Sequence, residues 1–268
     1  MNAFLARVLE QKRDEIAAGR RIRPESLLRE RCAAMPPCRD FAGALTAGPD
    51  RIIAEVKKRS PSVPRFRRQE DPSELARLYE DAGAAALSLV TDRVNFGTGP
   101  GDVRPMRTAS TLPLVAKDFV IDEWQLLALR AAGADAVLLI ARLLPADLLA
   151  GLHGAATDLG LATLVECHDE EDVDAAAAAG ARLIGINNRD LDSFTVSLAT
   201  SRRLLPALPD GCVGVVESGI AGREEIVELQ DLGARAFLIG GSLLQSDDPA
   251  GLLRELSGAD GDGPEVAS

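Results

Sequence analysis

Lysine is scarce in this chain. Lys12, Lys57, Lys58 and Lys117 are the only four in 268 residues, and arginine supplies the remaining positive charge. A lysine that persists against such a bias is informative. Basic residues as a whole are outnumbered, 30 against 41 acidic ones, for a formal net charge of −11. That balance argues against nucleic acid or an anionic membrane as the main partner, because both are bound through positive surface charge. It leaves room for a small anionic substrate, where local potential decides. Histidine is limited to His153 and His168. The four cysteines, Cys32, Cys38, Cys167 and Cys212, form no CxxC and no metal-ligand spacing with either histidine. They read as reduced thiols of a cytoplasmic protein, with Cys167 and Cys212 as small hydrophobes in or beside apolar strands, and no metal site is expected. No apolar run approaches a membrane span. The N-terminal stretch MNAFLARVLEQKRDEIAAGR has apolar residues at helical spacing and several acids, unlike a signal or transit peptide.

What is present is an ordinary globular composition, 46% hydrophobic and 26% charged, in a chain long enough to bury a full core. Residues 2–18 read as an amphipathic helix, with Phe4, Leu5, Val8, Leu9 and Ile16 near one face. Shorter helical pieces are expected around 26–32 and 41–45, so residues 1–50 form a helical extension that should pack on the main domain. From there a pattern repeats. Apolar runs at 52–57, 85–90, 114–117, 136–140, 162–166, 183–187, 213–217 and 236–240 read as strands. Helix candidates separate them at 72–82, 102–109, 122–132, 145–159, 169–179, 198–205, 223–232 and, after the last strand, 249–256. Continuous apolar runs suit strands covered on both faces. Eight strand–helix units over residues 51–257 point to an α/β fold, a (β/α)8 TIM barrel; a doubly wound open sheet is the alternative, weakened by the absence of any GxGxxG after the first strand. The tail 258–268, GADGDGPEVAS, is small, acidic and glycine-rich and is expected to be disordered.

The polar residues collect at one end of the strands: Glu55 and Lys57, Thr91 and Asp92, Lys117 and Asp118, Arg142, Glu166, Asn187-Asn188-Arg189, Glu217-Ser218-Gly219, and Gly240-Gly241-Ser242. In a barrel the C-terminal ends of the strands form the active-site face. In IIAEVKKRSPS, residues 52–62, alternation puts Glu55 and Lys57 on one face. A strand that ends in solvated charges would read the same way; buried, these charges must be paired or used. Lys117 follows Leu114-Val115-Ala116, and Glu166 follows Leu164-Val165, so each emerges from an apolar strand at the mouth, as an acid–base group would. Asn187 could orient a substrate hydroxyl or cap its turn. Asp92 and Asp118 read as loop caps, His168 as a surface residue before an acidic helix start, and His153 as a mid-helix residue without a role. Ser218-Gly219 and Gly240-Gly241-Ser242 follow the seventh and eighth strands, where backbone N–H groups of this fold recurrently hold phosphate. Lys57 and Arg189 could add positive charge beside an anionic ligand.

With these residues assembled, the chain resembles the indole-3-glycerol phosphate synthase family. The resemblance rests on IIAEVKKRSPS (52–62), DPSELARLYEDAGAAALSLVTD (71–92), KDFVID (117–122), GADAVLLIARLL (133–144), LVECHDEED (164–172), IGINNRDLDSF (184–194), VVESGI (215–220) and FLIGGSLL (237–244), in order across nearly the whole barrel. It implies conversion of a carboxyphenylamino-deoxyribulose 5-phosphate to indole-3-glycerol phosphate, with release of carbon dioxide and water and with no cofactor or metal. By the same motifs Lys117 resembles the general acid of ring closure and Glu166 its carboxylate partner. Glu55 resembles the acid/base group of dehydration, with Lys57 beside it. Asn187, Arg189 and Ser218 resemble substrate-orienting residues, Arg189 being suited to the substrate carboxylate. Ser60, Gly219, Gly240, Gly241 and Ser242 resemble the phosphate cradle. Phe96, Phe119 and Leu191 are carried over as further substrate-binding residues.

The chain also departs from the family pattern. After Ser-Pro-Ser the family usually continues with Lys-Gly, and here stands Val63-Pro64-Arg65-Phe66. The Phe-x-Gly-Ser after strand two is Asn95-Phe96-Gly97-Thr98-Gly99, Gly241 follows Gly240, and Ala116 precedes Lys117. Three other readings are open at this stage. One is a diverged paralogue serving a specialised indole pathway. Another is a phosphosugar isomerase, which would rely on a Cys/Asp or Asp/Asp pair. The third is a non-catalytic barrel that binds a phosphorylated metabolite. The expected partner is a small phosphorylated anion, with no nucleic acid and no membrane, and the expected state a monomer.

Overall fold

The computed structural model describes residues 3–48 and 50–259. The expected disordered tail lies, from residue 260 on, outside the described residues. Three helices precede the first strand: α1 Ala3–Ile22, α2 Glu25–Ala33 and α3 Phe41–Thr46. The barrel then runs β1 Arg51–Val56, α4 Pro72–Asp81, β2 Ala86–Val90, α5 Arg93–Phe96, α6 Val103–Ala109, β3 Leu114–Lys117, α7 Glu123–Ala132 and β4 Ala136–Ile140. Its second half is α8 Ala146–Asp158, β5 Ala162–Cys167, α9 Glu170–Ala178, β6 Leu183–Asn187, α10 Ala199–Leu204, β7 Val213–Glu217, α11 Arg223–Asp231, β8 Ala234–Ile239, α12 Gly241–Gln245 and α13 Pro249–Leu256. All eight strands are parallel, each pairs with its neighbours in sequence, and β8 closes on β1.

The strand pattern therefore gives the barrel, with ends displaced by one or two residues. The first helix runs four residues beyond the expected 18. Its last turn carries Arg20 and Arg21, which suit the negative end of the helix dipole, and Arg20 pairs with Asp122 at 2.8 Å. Helix starts are set by acids that accept backbone N–H groups: Asp71 with Glu74 forms a capping box on α4, and Asp122 and Asp169 cap α7 and α9.

The barrel interior is filled by Ile53, Val115, Leu138, Leu164, Leu183, Val215 and Leu238, and is stoppered from α3 by Phe41 and Leu45. A larger apolar shell joins the outer strand faces to the barrel helices. Ile16 of α1 and Leu28 and Cys32 of α2 pack on Trp124, Leu127, Ala128 and Ala131 of α7. The other end of α1 reaches the mouth, where Phe4 meets the Phe194 ring edge-on at 5.4 Å between centroids. Among the described residues, no helix is long and apolar enough to cross a membrane.

Candidate active site

At the C-terminal mouth a cavity of about 240 Å³ opens. All fifteen site residues singled out in the sequence line it: Glu55, Lys57 and Ser60 from β1 and its loop; Phe96, Lys117 and Phe119; Glu166; Asn187, Arg189 and Leu191; Ser218 and Gly219; Gly240, Gly241 and Ser242.

Lys117 ends β3 with its ammonium at the centre of the mouth. It donates to Glu166 Oε2 at 2.6 Å and to Glu217 Oε2 at 2.7 Å. Burial alone would push both carboxyls up. At Glu166 the Lys117 charge, with help from His168 and a hydrogen bond from Asn187, outweighs burial and holds the carboxyl down at about 2. At Glu217 burial wins: Lys117 pulls the other way, but the Glu166 charge adds to burial and the carboxyl is pushed up to about 7. Lys117 itself is raised, because its carboxylate neighbours outweigh the burial that would lower it. One lysine thus bridges an ionised carboxylate and one that exchanges its proton near neutrality, a pairing suited to moving protons.

Glycines make room for these acids. A Cβ at Gly185 would overlap the Glu217 carboxyl, and one at Gly240 would sit 2.5 Å from Glu55 Oε1. Glu55 is buried and accepts a hydrogen bond from Lys57, whose ammonium lies 5.6 Å from the centroid of the Phe66 ring. The departing loop after Ser62 is anchored through that ring: Phe66 is buried, and its N–H donates to the Lys58 carbonyl at 3.2 Å. Arg189 donates to the Phe194 carbonyl at 3.0 Å, and its own N–H donates to Asn187 Oδ1 at 3.0 Å. Across the cavity, Ser242 Oγ donates to the Ile220 carbonyl at 3.3 Å and ties the loops after β7 and β8 together. Ser218 holds φ at 64°, in the left-handed region that a non-glycine residue rarely adopts.

Several residues here escape a reading of the sequence. Glu217 stands at a strand end with no role attached; the cross-strand register Asn187↔Glu217 puts it beside a residue to which the family resemblance assigns one. Five of the chain's seven phenylalanines, Phe4, Phe66, Phe96, Phe119 and Phe194, line the cavity, and their rarity elsewhere is the available signal. Phe96 and Phe119 lie 6.5 Å apart between ring centroids. His168 is a correction: it is 7% exposed rather than on the surface, because it sits between Glu166 of β5 and Asp172 of α9. Asp92 and Asp118 do cap their loops, at Asn95 and Phe119, and they also hold Lys12, one of the four rare lysines, to which the sequence attaches no role. His153 forms a 2.6 Å hydrogen bond with Thr163 Oγ1, away from the mouth.

A family model described as indole-3-glycerol phosphate synthase matches residues 5–256. The chain belongs to the indole-3-glycerol phosphate synthase family. The enzyme of that name from Aromatoleum aromaticum is 41% identical over 96% of this chain and all of its own length. Indole-3-glycerol phosphate synthase 2 of Streptomyces coelicolor is 41% identical over 96% of this chain and 100% of its own. The synthase from Syntrophobacter fumaroxidans is 43% identical over 97% and 99%. Among solved structures, a 3-hexulose-6-phosphate synthase superposes with a TM-score of 0.60 at 20% identity, over 78% of this chain and 99% of its own, a likeness of fold. The activity is accordingly that of an indole-3-glycerol phosphate synthase, a carboxy-lyase of tryptophan biosynthesis acting on a phosphorylated substrate.

Proposed function

We propose that the fifteen mouth residues divide the synthase reaction between two acid–base pairs and one anion cradle. The observation that carries this reading is Lys117 gripped by Glu166 and Glu217 at 2.6 and 2.7 Å, with their carboxyls shifted in opposite directions. Ring closure needs a proton on the ketose carbonyl oxygen as the aromatic carbon attacks. Lys117 delivers it, and Glu217, pushed up to about 7, replenishes Lys117. Glu166, ionised, stabilises the positive charge that develops on the anilino nitrogen until carbon dioxide leaves. Dehydration then needs an acid for the departing hydroxide and a base for the ring proton; Lys57 and Glu55, already hydrogen-bonded to each other, fill those places. Asn187 and Ser218 orient the substrate, and Arg189 takes its carboxylate as an ion pair.

The phosphate lies against the loops after β7 and β8. Gly219, Gly240, Gly241 and Ser242 offer backbone N–H groups there and Ser60 a hydroxyl, which small side chains leave accessible. Phe96, Phe119 and Leu191 flank the aromatic ring. A monomer is proposed because the large exposed apolar residues, Ile22, Val94, Leu148, Val196 and Val227, lie apart in the sequence on separate elements and loops. Unpaired Cys32, Cys38, Cys167 and Cys212 support a cytoplasmic setting.

The test is turnover of the carboxyphenylamino-deoxyribulose phosphate, followed by the rise of indole fluorescence, for wild type and Lys117→Ala. Product from wild type that falls by about a thousandfold in Lys117→Ala, with phosphate-analogue binding retained, is the expected result. A Lys117→Ala protein that keeps wild-type turnover would overturn the general-acid assignment.

A further inference from the structure

Behind the mouth, a row of charged groups runs from Glu166 to the surface. His168 follows Glu166 by two residues, so it leaves β5 on the same side. Its Nε2 lies 3.4 Å from Glu166 Oε1, and its Nδ1 lies 3.5 Å from Asp172 Oδ2 on α9. Both ring nitrogens are buried and neither completes a hydrogen bond among the described residues, so the two carboxylates at ion-pair distance are their nearest charged neighbours. Glu166 is thus held at both oxygens, Oε2 by Lys117 and Oε1 by His168. Asp172 is fixed in turn: its Oδ2 accepts the backbone N–H of His168 at 2.8 Å and meets Arg142 Nε at 3.2 Å, while Arg142 Nη2 pairs with Asp169 at 2.6 Å.

A neutral imidazole has one donor and one acceptor nitrogen. With a carboxylate at each nitrogen, the neutral ring would turn a lone pair on one of them. Only the imidazolium donates to both. We propose that His168 is a cationic strap between Glu166 and Asp172, a positioning residue that keeps the Glu166 carboxylate ionised and turned toward Lys117. The groups facing this pair are Lys117 from β3, Arg142 from the turn after β4, Asp169 at the cap of α9 and Asp172 within it, Asn187 from β6 and Glu217 from β7. Signs alternate along the row Lys117, Glu166, His168, Asp172, Arg142, Asp169, so each charge is flanked by opposite ones. His168 does not touch the cavity, and its effect on turnover passes through Glu166 alone.

The proposal rests on the role given to Glu166 above, and its tests separate the two. Imidazole nitrogen spectra of the wild-type protein need no substrate, and the chain has only two histidines to assign. Burial lowers the pKa of His153, which serves as a neutral reference at pH 7. His168 is expected to show two protonated nitrogens there; a neutral tautomer at pH 7 would overturn the strap. In turnover, His168→Phe is expected to lower kcat roughly tenfold with KM within about twofold. The acid limb of its profile should move up by about one pH unit, because Glu166 loses a neighbouring positive charge. His168→Gln returns a donor without the charge, so kcat recovers in part while the acid limb stays displaced. Profiles of both variants that overlay wild type would sink the proposal. If His168→Phe fails to fold, the nitrogen spectra and His168→Gln decide. A wild type that makes no indole product would instead overturn the reading of the site, leaving the spectra to judge the strap.

Discussion

Two of the four lysines, Lys12 and Lys117, sit in neighbouring cages of carboxylate. Lys12 of α1 is 2% exposed and reaches Asp118 at 2.8 Å, Glu15 at 3.0 Å and Asp92 at 3.8 Å. Lys117, one residue before Asp118, meets Glu166 and Glu217 at 2.6 and 2.7 Å with 19% of its side chain exposed. Burial depresses both ammonium groups, and in both the surrounding acids reverse the effect and raise the pKa. By charge the two are nearly alike, and both side chains are mostly buried. They differ in what lies beyond: Lys117 opens onto the cavity, whereas Lys12 is closed off and does not line it. A caged buried lysine is therefore no sign of catalysis by itself; access to a substrate-sized space is what makes Lys117 the candidate of the two. Lys12 instead latches α1 to the loops after β2 and β3 and so holds Phe4 at the mouth.

Removing each ammonium in turn separates the two lysines. Lys117→Ala should lower turnover about a thousandfold, roughly 4 kcal/mol of transition-state stabilisation, with a smaller loss of stability than at Lys12, because Glu217 can take up a proton and water can enter the mouth. Lys12→Met should do the reverse. It leaves Asp118 and Asp92 buried without a counter-charge, a loss of about 3 kcal/mol. In a chain of this size that is a fall in Tm of about 6–12 °C by calorimetry. Its kcat should stay within about tenfold of wild type, with KM raised as α1 loosens. If Lys12→Met lost turnover as fully as Lys117→Ala with Tm unchanged, the two cages would not differ as argued.

Next in size is Glu217→Gln, which tests the divided acids within the Lys117 cage. Folding raises the Glu217 carboxyl from 4.5 to about 7, so its contribution to stability is lost as pH rises between those values. Glu166 is lowered from 4.5 to about 2, so its contribution is present above 4.5 and lost as pH falls toward 2. Denaturant unfolding of Glu217→Gln at pH 5 and pH 8 should therefore show a smaller decline toward pH 8 than wild type. Wild type is expected to lose kcat as pH rises through about 7, and that of Glu217→Gln should drop about tenfold or more at pH 6.5 and show no such alkaline fall. An unchanged alkaline limb would remove Glu217 from the proton path.

The contrast between the cages also marks how far the sequence can be read. Lys117, Glu166 and Asn187 are legible because each ends an apolar strand, and strand ends of one polarity define the barrel face. Glu217 ends its strand in the same manner, yet its partner is visible only through the register that sets it beside Asn187 and through Gly185, whose missing side chain leaves it space. Lys12 and His168 are illegible for another reason. Local pattern places a lysine in an amphipathic helix, or a histidine before an acidic helix start, on the surface. Their burial comes from acids 80 or more residues away for Lys12, and from a helix folded back on its own strand for His168. Tertiary contact overrides local pattern where charges are paired.

The smallest effects probe the Lys12 cage itself and set distance against dielectric. Glu15 is nearer to Lys12 than Asp92 is, 3.0 Å against 3.8 Å, but Glu15 is 46% exposed and Asp92 is fully buried. Water screens the nearer pair, and Coulomb attraction grows as the local dielectric falls. Asp92 accordingly contributes more than Glu15 to the raised pKa of Lys12. Glu15→Gln should change stability by no more than about 0.5 kcal/mol in denaturant unfolding, and that change should vanish in high salt. Asp92→Asn keeps a side-chain acceptor for the Asn95 N–H and removes the charge together with the Oδ2 acceptor of the Asn95 amide, so its loss of about 1–2 kcal/mol should persist in high salt. Equal losses for the two variants would mean that water reaches the cage, and the distinction between a closed latch and an open catalytic lysine would have to rest on the substrate cavity alone.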